Sequence, residues 1–547
     1  MRLHPIHLAP GFLFLSSTFA LATSSTGQVP TSVESVNDHC ARLAKFDLPN
    51  ASITGAMAVA AGSFKGPPQA FTGADMSALY KMLPAFCRIV VQAKPTADSN
   101  IGVEVWLPLD GWNGRLQGIG NGGFAGIIDD VGLGVAVAQG YAAVATDAGH
   151  VGSPIDAAWA LGHPEKVVDF GHRGIHEMTR VAKTVVQQFY GNAPKRAYFD
   201  GCSDGGREAL MEAQRYPDDY DGILAGAPAN YWTGLLSIAV VDTQALTATA
   251  ENFIPPAKIP LIANAVLAAC DKLDGVEDGI LNDPRQCHFD PVSIECKAGD
   301  GTDKCLTAPQ VSALEKIYAG LQDSHGRTIF PGYLPGAEEG GGGWGTWITG
   351  PAPARSAMAF FGIGYYSNMV YEKSDWTYKS FTVDNGLRAA REKTAAALDA
   401  VNPDLTPFRS RGGKLILYHG WDDPAIPALN TVNYYGEVIA KLGRDNADSF
   451  TRLYMVPGMQ HCGGGPGPHP SSWPAKDPQH NVRIALENWV EKGIAPTTII
   501  ATKTAGDNPL GAATMTRPLC PYPQAAKYKG SGDTNLAESF VCANPNE

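Results

Sequence analysis

Residues 198–210 read YFDGCSDGGREAL and carry the clearest indication of architecture in this chain. The residues before Ser203 have the composition of a β-strand, and those after it have that of a helix, which ends before Pro217. The pattern Gly201-x-Ser203-x-Gly205 at such a junction is typical of a sharp turn that lifts a serine hydroxyl out of a sheet. An ordinary turn is the alternative, since glycine and serine are common in turns.

Strand patterns and helix patterns alternate on both sides of this junction. Before it, strands are predicted at CRIVVQAK, IGVEVWLPL, RLQGIGNGG and YAAVATDAG, and a helix at IHEMTRVAKTVVQQFYG. After residue 403, GGKLILYHGWDD and FTRLYMVPGMQHC predict two more strands, and NVRIALENWVEKG predicts a helix. This alternation predicts an α/β fold with a mostly parallel sheet that helices cover on both faces.

Residues 230–403 interrupt the alternation. They contain helical pieces, loops, four cysteines and the glycine run GAEEGGGGWGTW, which does not favour a regular element. The sequence therefore predicts one α/β domain, residues 23–229 and 404–547, into which residues 230–403 are inserted. We refer to residues 230–403 as the insertion.

Residues 1–22 predict a secretory signal peptide, because basic residues precede a short apolar run that ends in small residues. A disordered tail or a short anchor is the alternative, although the apolar run is too short to span a bilayer. The ten cysteines, an even number, fit an oxidising compartment, so we expect a secreted or periplasmic protein. The net charge of −12 argues against nucleic acid or an anionic membrane as a partner.

A serine becomes a nucleophile when a histidine acts as its base and an acid orients that histidine. At an elbow of this kind the chain order is serine, acid, histidine, with the last two on loops after later strands. Asp422 and Asp423 follow one predicted strand, and His461 follows the next. Solvated loop residues are the alternative for each. His419 is a rival base, but it lies in the strand end before the aspartates.

Cysteines adjoin two of these candidates, since Cys202 precedes Ser203 and Cys462 follows His461. If the serine and the histidine are within hydrogen-bond distance, a Cys202–Cys462 disulfide would fix the base relative to the nucleophile. Two unrelated buried cysteines are the alternative. A redox function for Cys202 is a third hypothesis, but it does not explain the aspartate and the histidine.

His172 and His176 lie one helical turn apart, and Glu177 follows them. This spacing suggests a metal site at first sight. However, HEMTR lacks the second histidine of the H-E-x-x-H zinc motif, so a core or capping function is the better interpretation.

The sequence resembles the tannase and feruloyl esterase family, which includes the mono(2-hydroxyethyl) terephthalate hydrolases. The matching stretches are GNGGFAG, ATDAGH, GCSDGGREAL, YDGILAGAPAN, CDKLDGVEDGI, GGKLILYHGWDDPAIP, VPGMQHCGGG and RPLCPYPQAAKYKGSGD. The resemblance implies an α/β-hydrolase fold in which the insertion is a lid placed after the nucleophile-bearing strand–helix unit. It also implies a catalytic triad of Ser203, Asp423 and His461, with Asp423 rather than Asp422 as the acid, tied by Cys202–Cys462.

An oxyanion needs two N–H donors. The residue after the nucleophile, Asp204, supplies one in this type of elbow. The glycine-rich loop GIGNGGFAG has the right position for the second, and the resemblance favours Gly123. A simple glycine turn is the alternative for that loop.

Asp271, Asp274 and Asp278 crowd a short loop within the stretch CDKLDGVEDGILNDPRQC of the insertion. Carboxylates this close favour a hard cation such as calcium, but a solvated acidic turn is the ordinary alternative, and the spacing is not that of an EF-hand. The resemblance implies a structural calcium ion bound by Asp271, Asp274 and Asp278 and by the carbonyls of Val276 and Ile280. It implies no organic cofactor.

Sequence alone leaves the pairing of the remaining cysteines open. The resemblance implies Cys40–Cys87, Cys270–Cys287, Cys296–Cys305 and Cys520–Cys542.

The triad and the resemblance together predict ester hydrolysis through an acyl-enzyme. Aromatic residues in AMAFFGIGYYSNMVYEKSDW of the insertion suit an aromatic acyl group, or else pack within the insertion. Terephthalate hydrolases of the family use a lid arginine for the free carboxylate of their substrate, and no arginine occurs between Arg355 and Arg388. We therefore expect a feruloyl esterase, with a tannase as the alternative and a terephthalate hydrolase less favoured. The substrate would be a small aromatic ester, free or attached to plant polysaccharide or polyphenol. A non-catalytic binding protein is a hypothesis of another class.

Overall fold

The structure, a computed structural model, describes residues 33–70, 73–299 and 301–544, without the side chains of residues 33–37. The predicted signal peptide, residues 1–22, lies outside the described residues. Among the helices of the described residues, none is both long and apolar enough to cross a membrane.

Nine strands of the described residues form the main sheet. In chain order they are β1 (Ala51–Val59), β2 (Phe86–Ala93), β3 (Ile101–Pro108), β4 (Arg115–Ile119), β5 (Ala142–Thr146), β6 (Arg196–Cys202), β7 (Gly222–Gly226), β8 (Lys414–Gly420) and β9 (Thr451–Val456). Their order across the sheet is β1-β2-β3-β5-β4-β6-β7-β8-β9. Strands β4 to β9 run parallel, whereas β1, β2 and β3 pair antiparallel. The carboxyl ends of β6, β8 and β9 therefore meet at one edge of the sheet.

Five helices of eight or more residues cover the sheet after β4. They are α1 (Asp130–Ala138), α2 (Gly174–Tyr190), α3 (Asp204–Arg215), α4 (Leu429–Leu442) and α5 (Val482–Lys492). The apolar side chains of α2, α3 and α4 belong to one buried cluster, and those of α1 and α5 belong to another. Both faces of the sheet are thus covered, as the alternation of strands and helices predicts.

Shorter helices and one N-terminal helix complete this part of the chain. They span Val33–Arg42, Ser77–Lys81, Pro164–Val168, Thr406–Ser410 and Arg444–Asp448.

The insertion lies between β7 and β8 in the chain, and its apolar side chains form the larger part of a second buried cluster. Its helices span Trp232–Thr247, Ile259–Cys270, Ala308–Ala319, Trp344–Trp347, Ala357–Tyr365, Val383–Ala390 and Ala396–Leu398, and a two-stranded sheet pairs Leu321–Gln322 with Thr328–Phe330. Phe124 and Ile426, from loops at the carboxyl edge of the main sheet, belong to the same buried cluster. The insertion therefore packs directly on the edge at which the strands β6, β8 and β9 end.

The C-terminal segment forms two small antiparallel sheets, which pair Ile499–Thr504 with Ala513–Leu519 and Ala525–Tyr528 with Phe540–Ala543. This segment contacts the acidic stretch of the insertion. Asn282 donates a hydrogen bond to the carbonyl of Ala526 (2.9 Å), and Arg517 lies 2.6 Å from the carboxylate of Asp278.

All ten cysteines are paired. The bonds are Cys40–Cys87, Cys202–Cys462, Cys270–Cys287, Cys296–Cys305 and Cys520–Cys542. These are the five pairs that the resemblance and the position of the triad candidates predict.

Candidate active site

Ser203 lies at the tight junction between β6 and α3. Its φ of 66° and ψ of −121° place it in a region that non-glycine residues rarely occupy, so the surrounding structure must hold it there. Close packing around the junction excludes larger residues. A Cβ at Gly201 would lie 2.4 Å from the carbonyl oxygen of Gly205, and one at Gly206 would lie 2.3 Å from that of Gly226. The glycines at this junction thus allow the strand and the helix to pack closely against each other and against β7.

Three side chains from three strand ends form an unbroken chain of hydrogen bonds. The Nε2 atom of His461 lies 2.9 Å from the Oγ atom of Ser203, and its Nδ1 atom lies 2.8 Å from Oδ2 of Asp423. Because an ionised carboxylate only accepts hydrogen bonds, Nδ1 carries the hydrogen and Nε2 is left to accept the serine hydroxyl. In this tautomer the imidazole can remove the serine proton.

The carboxylate of Asp423 is fully buried, and within the described residues it accepts hydrogen bonds from three groups and lies close to a fourth. The backbone N–H groups of Ala425 (2.8 Å) and Ile426 (2.9 Å) donate to Oδ1. His461 donates to Oδ2, and Nε2 of His419 lies 3.2 Å from the same atom. Burial by itself raises the pKa of Asp423, but attraction to His461 and the hydrogen bonds from His419 and His461 outweigh it, so the pKa lies below its usual range. Asp423 therefore stays ionised beside the imidazole.

A disulfide joins the elbow to the histidine loop. Cys202 and Cys462 are 260 residues apart in the chain, and their Cα atoms are 6.0 Å apart. Cys462 has a φ of 61°, and three glycines follow it at positions 463–465. Gln460, on the other side of His461, donates to the carbonyl of Glu339 (2.6 Å), so the disulfide and this hydrogen bond restrain the glycine-rich loop on either side of the histidine.

The glycine-rich loop after β4 is fastened to the elbow through Asn121. Its backbone N–H donates to the buried carboxylate of Glu208 (2.8 Å), and its carbonyl accepts the N–H of Gly205 (2.8 Å). Its side chain donates to the carbonyl of Thr146 (2.8 Å). The loop that contains Gly123 is therefore held against the first turn of α3.

The two N–H groups expected at an oxyanion hole are available. Within the described residues, neither Gly123 nor Asp204 donates its N–H to another protein group. Gly123 has a φ of 60°, and a Cβ there would lie 2.3 Å from the carbonyl oxygen of Pro154, so glycine is required. The side chain of Asp204 is fixed by Arg207, at 2.6 Å. Burial raises the pKa of Asp204 to about 6, although Arg207 opposes that rise.

The other candidates from the sequence lie elsewhere. Asp422 is buried with one carboxylate oxygen unpaired, and its pKa is raised well above the usual range by burial and by Glu338. His172 bonds to the hydroxyl of Tyr216 (2.7 Å) and His176 bonds to the carboxylate of Asp219 (2.6 Å). None of these residues contacts Ser203 or His461 through a hydrogen bond within the described part of the chain.

Sequence reasoning missed Glu208 and treated His419 only as a rival base. Glu208 is fully buried on α3, although glutamate in a helix ordinarily indicates a solvated face. Asp423 lies between two histidines: its Oδ2 atom is 2.8 Å from Nδ1 of His461 and 3.2 Å from Nε2 of His419. The local sequence does not indicate a function for Glu208 or His419, because the partners of both side chains lie on loops that only the fold brings together.

The acidic stretch of the insertion supplies carboxylate and carbonyl oxygens. Asp271 accepts from the N–H of Gly279 (3.0 Å), and Asp278 pairs with Arg517. Burial and the charges of Asp278 and Asp271 raise the pKa of Asp274 to about 6. No hydrogen bond within the described residues ends on the carbonyl of Val276 or Ile280.

These oxygens match the donors that calcium prefers. Side chains alone do not make a metal centre, because the described residues contain no group of three or more His, Cys, Asp or Glu placed to hold an ion.

An α/β hydrolase with a serine nucleophile has this sheet order, this elbow and this arrangement of serine, histidine and acid. The chain belongs to the tannase and feruloyl esterase family, whose sequence model matches residues 87–543. The protein is therefore a carboxylic ester hydrolase.

Relatives match over most of the chain. An uncharacterized esterase of Xanthomonas campestris pv. campestris is 40% identical over 533 residues, which cover 92% of this chain and 91% of the relative. The mono(2-hydroxyethyl) terephthalate hydrolase of Piscinibacter sakaiensis is 35% identical and covers 79% of this chain and 80% of the relative. The crystal structure of feruloyl esterase B from Aspergillus oryzae superimposes with a TM-score of 0.83 at 28% identity, covering 93% of this chain and all of that one.

Proposed function

We propose that the protein is an exported serine esterase that hydrolyses esters of phenolic acids, and that ferulate is the favoured acyl group. The observation that carries the proposal is the hydrogen-bonded series Ser203–His461–Asp423 beneath an aromatic wall of the insertion. Membership of the tannase and feruloyl esterase family supports the reaction class.

The reaction proceeds in two halves through an acyl-enzyme. His461 removes the proton of Ser203 through Nε2 while Oγ attacks the ester carbonyl. The N–H groups of Gly123 and Asp204 hold the oxyanion. The imidazolium then gives its proton to the leaving alcohol, and in the second half it deprotonates the water that releases the acid. Asp423 holds the imidazole in the required tautomer throughout.

Aromatic side chains run from the base to the oxyanion loop. The half-buried Trp347 of the insertion packs edge-on against His461, with ring centroids 4.9 Å apart. Phe361 stacks at 6.4 Å from Trp347 and contacts Phe124, next to Gly123, at 5.2 Å. Phe361 and Phe124 are buried and support the wall from behind, so the half-buried Trp347 is the ring of the three that can pack against the flat ring of an aromatic acid.

Among the described residues, no lysine or arginine lies over the ring of Trp347, Phe361 or Phe124, which favours a neutral acyl group. A free carboxylate beside these rings would lose solvation without gaining a partner, and that disfavours terephthalate monoesters. Gallate is the second candidate, since the same wall accommodates any planar phenolic ring. The likeness to feruloyl esterase B from Aspergillus oryzae favours ferulate.

A substrate panel tests this assignment. Methyl ferulate, methyl gallate and mono(2-hydroxyethyl) terephthalate are compared by kcat/KM at one pH. We expect the two phenolic esters to exceed the terephthalate ester by at least about tenfold, the effect of one unpaired charge. A higher kcat/KM for the terephthalate ester would contradict the proposal of a neutral acyl group. The ranking of the two phenolic esters decides between ferulate and gallate.

We also propose a structural calcium ion, held by Asp271, Asp274 and Asp278 and by the carbonyls of Val276 and Ile280. The neighbouring acidic side chains support it, together with two carbonyls that accept no hydrogen bond within the described residues. The ion would neutralise the loop next to the Cys270–Cys287 bond, and it has no step in the reaction.

Removal of calcium is expected to lower the melting temperature by about 2–3 °C, since a ligand at a hundred times its Kd contributes about 2.7 kcal/mol and the unfolding entropy of a chain of this length is about 1.1 kcal/mol/K. Thermal unfolding is followed after treatment with EGTA and again after addition of CaCl2 or MgCl2. We expect recovery with calcium only, and none in Asp274→Asn. Asp375→Asn, which removes an exposed carboxylate of the insertion, is the matched control and should respond like the wild type. An unchanged melting temperature in EGTA, together with no bound calcium by elemental analysis, would rule out the ion.

Export rests on the predicted signal peptide and on the disulfides. Disulfides persist in oxidising compartments, which supports a secreted or periplasmic location. Phenolic esters attached to plant polysaccharide or polyphenol would be accessible to an exported enzyme.

A further inference from the structure

His419 is a buried histidine that the reaction described above does not use. It is the sixth residue of β8 and has no exposed surface. Its Nε2 atom lies 3.2 Å from Oδ2 of Asp423 and 3.0 Å from the carbonyl oxygen of Ile426. Its Nδ1 atom lies 2.7 Å from the hydroxyl oxygen of Thr431, near the start of α4.

These partners determine which ring nitrogen carries the hydrogen. A carboxylate and a carbonyl only accept, so Nε2 of His419 must be the donor. The hydroxyl of Thr431 is free to donate to Nδ1, and a neutral imidazole then has both nitrogens satisfied without a buried charge. The side chain of Thr431 is itself fully buried, and within the described residues its hydroxyl has no other partner.

The N–H of His419 donates to the carbonyl of Ile426, and the same Nε2 atom lies 3.2 Å from the oxygen of Asp423 that also serves His461. Oδ2 of Asp423 thus lies between two imidazole N–H groups, while Oδ1 is held by two backbone N–H groups. With both oxygens restrained, the carboxylate cannot rotate about its Cβ–Cγ bond without losing donors.

We propose that His419 is a positioning residue for the reaction, and that the Thr431 hydroxyl sets its tautomer so that it holds Oδ2 of Asp423 in line with Nδ1 of His461. The inference rests on the proposed function, because it concerns the acid of that triad. It extends the series by two members, to Thr431–His419–Asp423–His461–Ser203. His419 acts through Asp423 and does not contact the substrate.

The test compares variants of His419 and Thr431 that keep or remove the hydrogen-bond donor of the side chain while its volume changes little. His419→Leu removes the donor to Asp423, and His419→Gln retains an N–H that can reach it. Thr431→Val removes the hydroxyl at equal size, and Thr431→Ser restores it. For each variant, kcat and KM on methyl ferulate and the melting temperature are measured. Thr184→Val is the matched control, because its hydroxyl donates within α2 to the carbonyl of Arg180.

We expect His419→Leu to lower kcat by about 10- to 100-fold with KM changed less than about twofold, since one hydrogen bond to a charged group is lost. His419→Gln should recover about tenfold of that loss. Thr431→Val should lower kcat by about 3- to 10-fold, and Thr431→Ser should recover most of it. A residue that only fills the core would change the melting temperature without this pattern in kcat.

A folded His419→Leu or Thr431→Val protein with wild-type kcat would overturn the inference. If His419→Leu does not fold, the Thr431→Val and Thr431→Ser pair decides the question by itself. The proposed function is judged separately, by the activity of Ser203→Ala. An inactive Ser203→Ala together with a fully active Thr431→Val would remove the positioning function and leave the esterase assignment intact.

Discussion

Ser203→Ala is expected to lower kcat/KM on methyl ferulate by about 10⁴-fold or more. The substitution removes the only group that can form the acyl-enzyme, and loss of a triad nucleophile has effects of this order. Activity that remains would come from the oxyanion donors and from binding alone. Steady-state hydrolysis measured by product release, on protein freshly purified from a host without its own esterase, gives the comparison.

The control for this variant is Ser380→Ala, an exposed serine of the insertion, which should retain full activity. The Ser203→Ala protein should keep the wild-type melting temperature within a few degrees, because one partly buried hydrogen bond contributes only about 1 kcal/mol to stability. Near-full esterase activity in Ser203→Ala would refute the assignment of the nucleophile and, with it, the whole proposed reaction.

Loss of the Cys202–Cys462 disulfide is expected to lower kcat by about 100-fold. The double variant Cys202→Ser, Cys462→Ser frees a glycine-rich loop next to the base, and a displacement of about 1 Å at a catalytic group costs about that factor. The same bond closes a long loop, so we also expect a loss of about 2–4 kcal/mol of stability, the range typical of disulfides. Kinetics are therefore measured well below the new melting temperature.

A second pair of cysteines provides the matched control. Cys520→Ser, Cys542→Ser removes a disulfide between strands of the C-terminal segment. We expect this variant to lose stability but to keep wild-type kcat at low temperature. A Cys202→Ser, Cys462→Ser protein that retains full kcat under the same conditions would show that the histidine loop is positioned without its disulfide.

The centre of this architecture was predictable because its signals are local. The elbow at Ser203 is a strand, a turn and a helix in adjacent residues, and the glycines around it report the close approach that the structure contains. Asp423 and His461 follow strands that are parallel to β6, so chain order alone places them at one edge of the sheet. The choice of Asp423 over Asp422 came from the resemblance, and the geometry agrees, since His461 bonds to Asp423.

Two strands and the function of Glu208 were not predictable in this way, because they depend on contacts between residues that are distant in the chain. Strand β1 carries no strong alternation, and β7 has five residues of which two are glycine, so neither was identified from composition or periodicity. Glu208 lies on a helix face that sequence patterns assign to solvent, yet it holds the backbone of Asn121. The domain limits, the oxyanion donors and the calcium ion stay predictions, which the experiments above address.

The route by which the enzyme matures follows from how its sulfur bridges are nested. Cys202 is bonded to Cys462, and the pairs Cys270–Cys287 and Cys296–Cys305 lie between them in the chain. An oxidant that joined cysteines in the order of their synthesis would link Cys202 to Cys270. The bonds Cys270–Cys287 and Cys296–Cys305 would then not form. Correct assembly therefore requires that Cys202 stay reduced until the last third of the chain has emerged, or that thiol exchange later corrects the mismatch. Recombinant production of active enzyme should accordingly depend on a host compartment that either delays oxidation of Cys202 or supplies disulfide exchange.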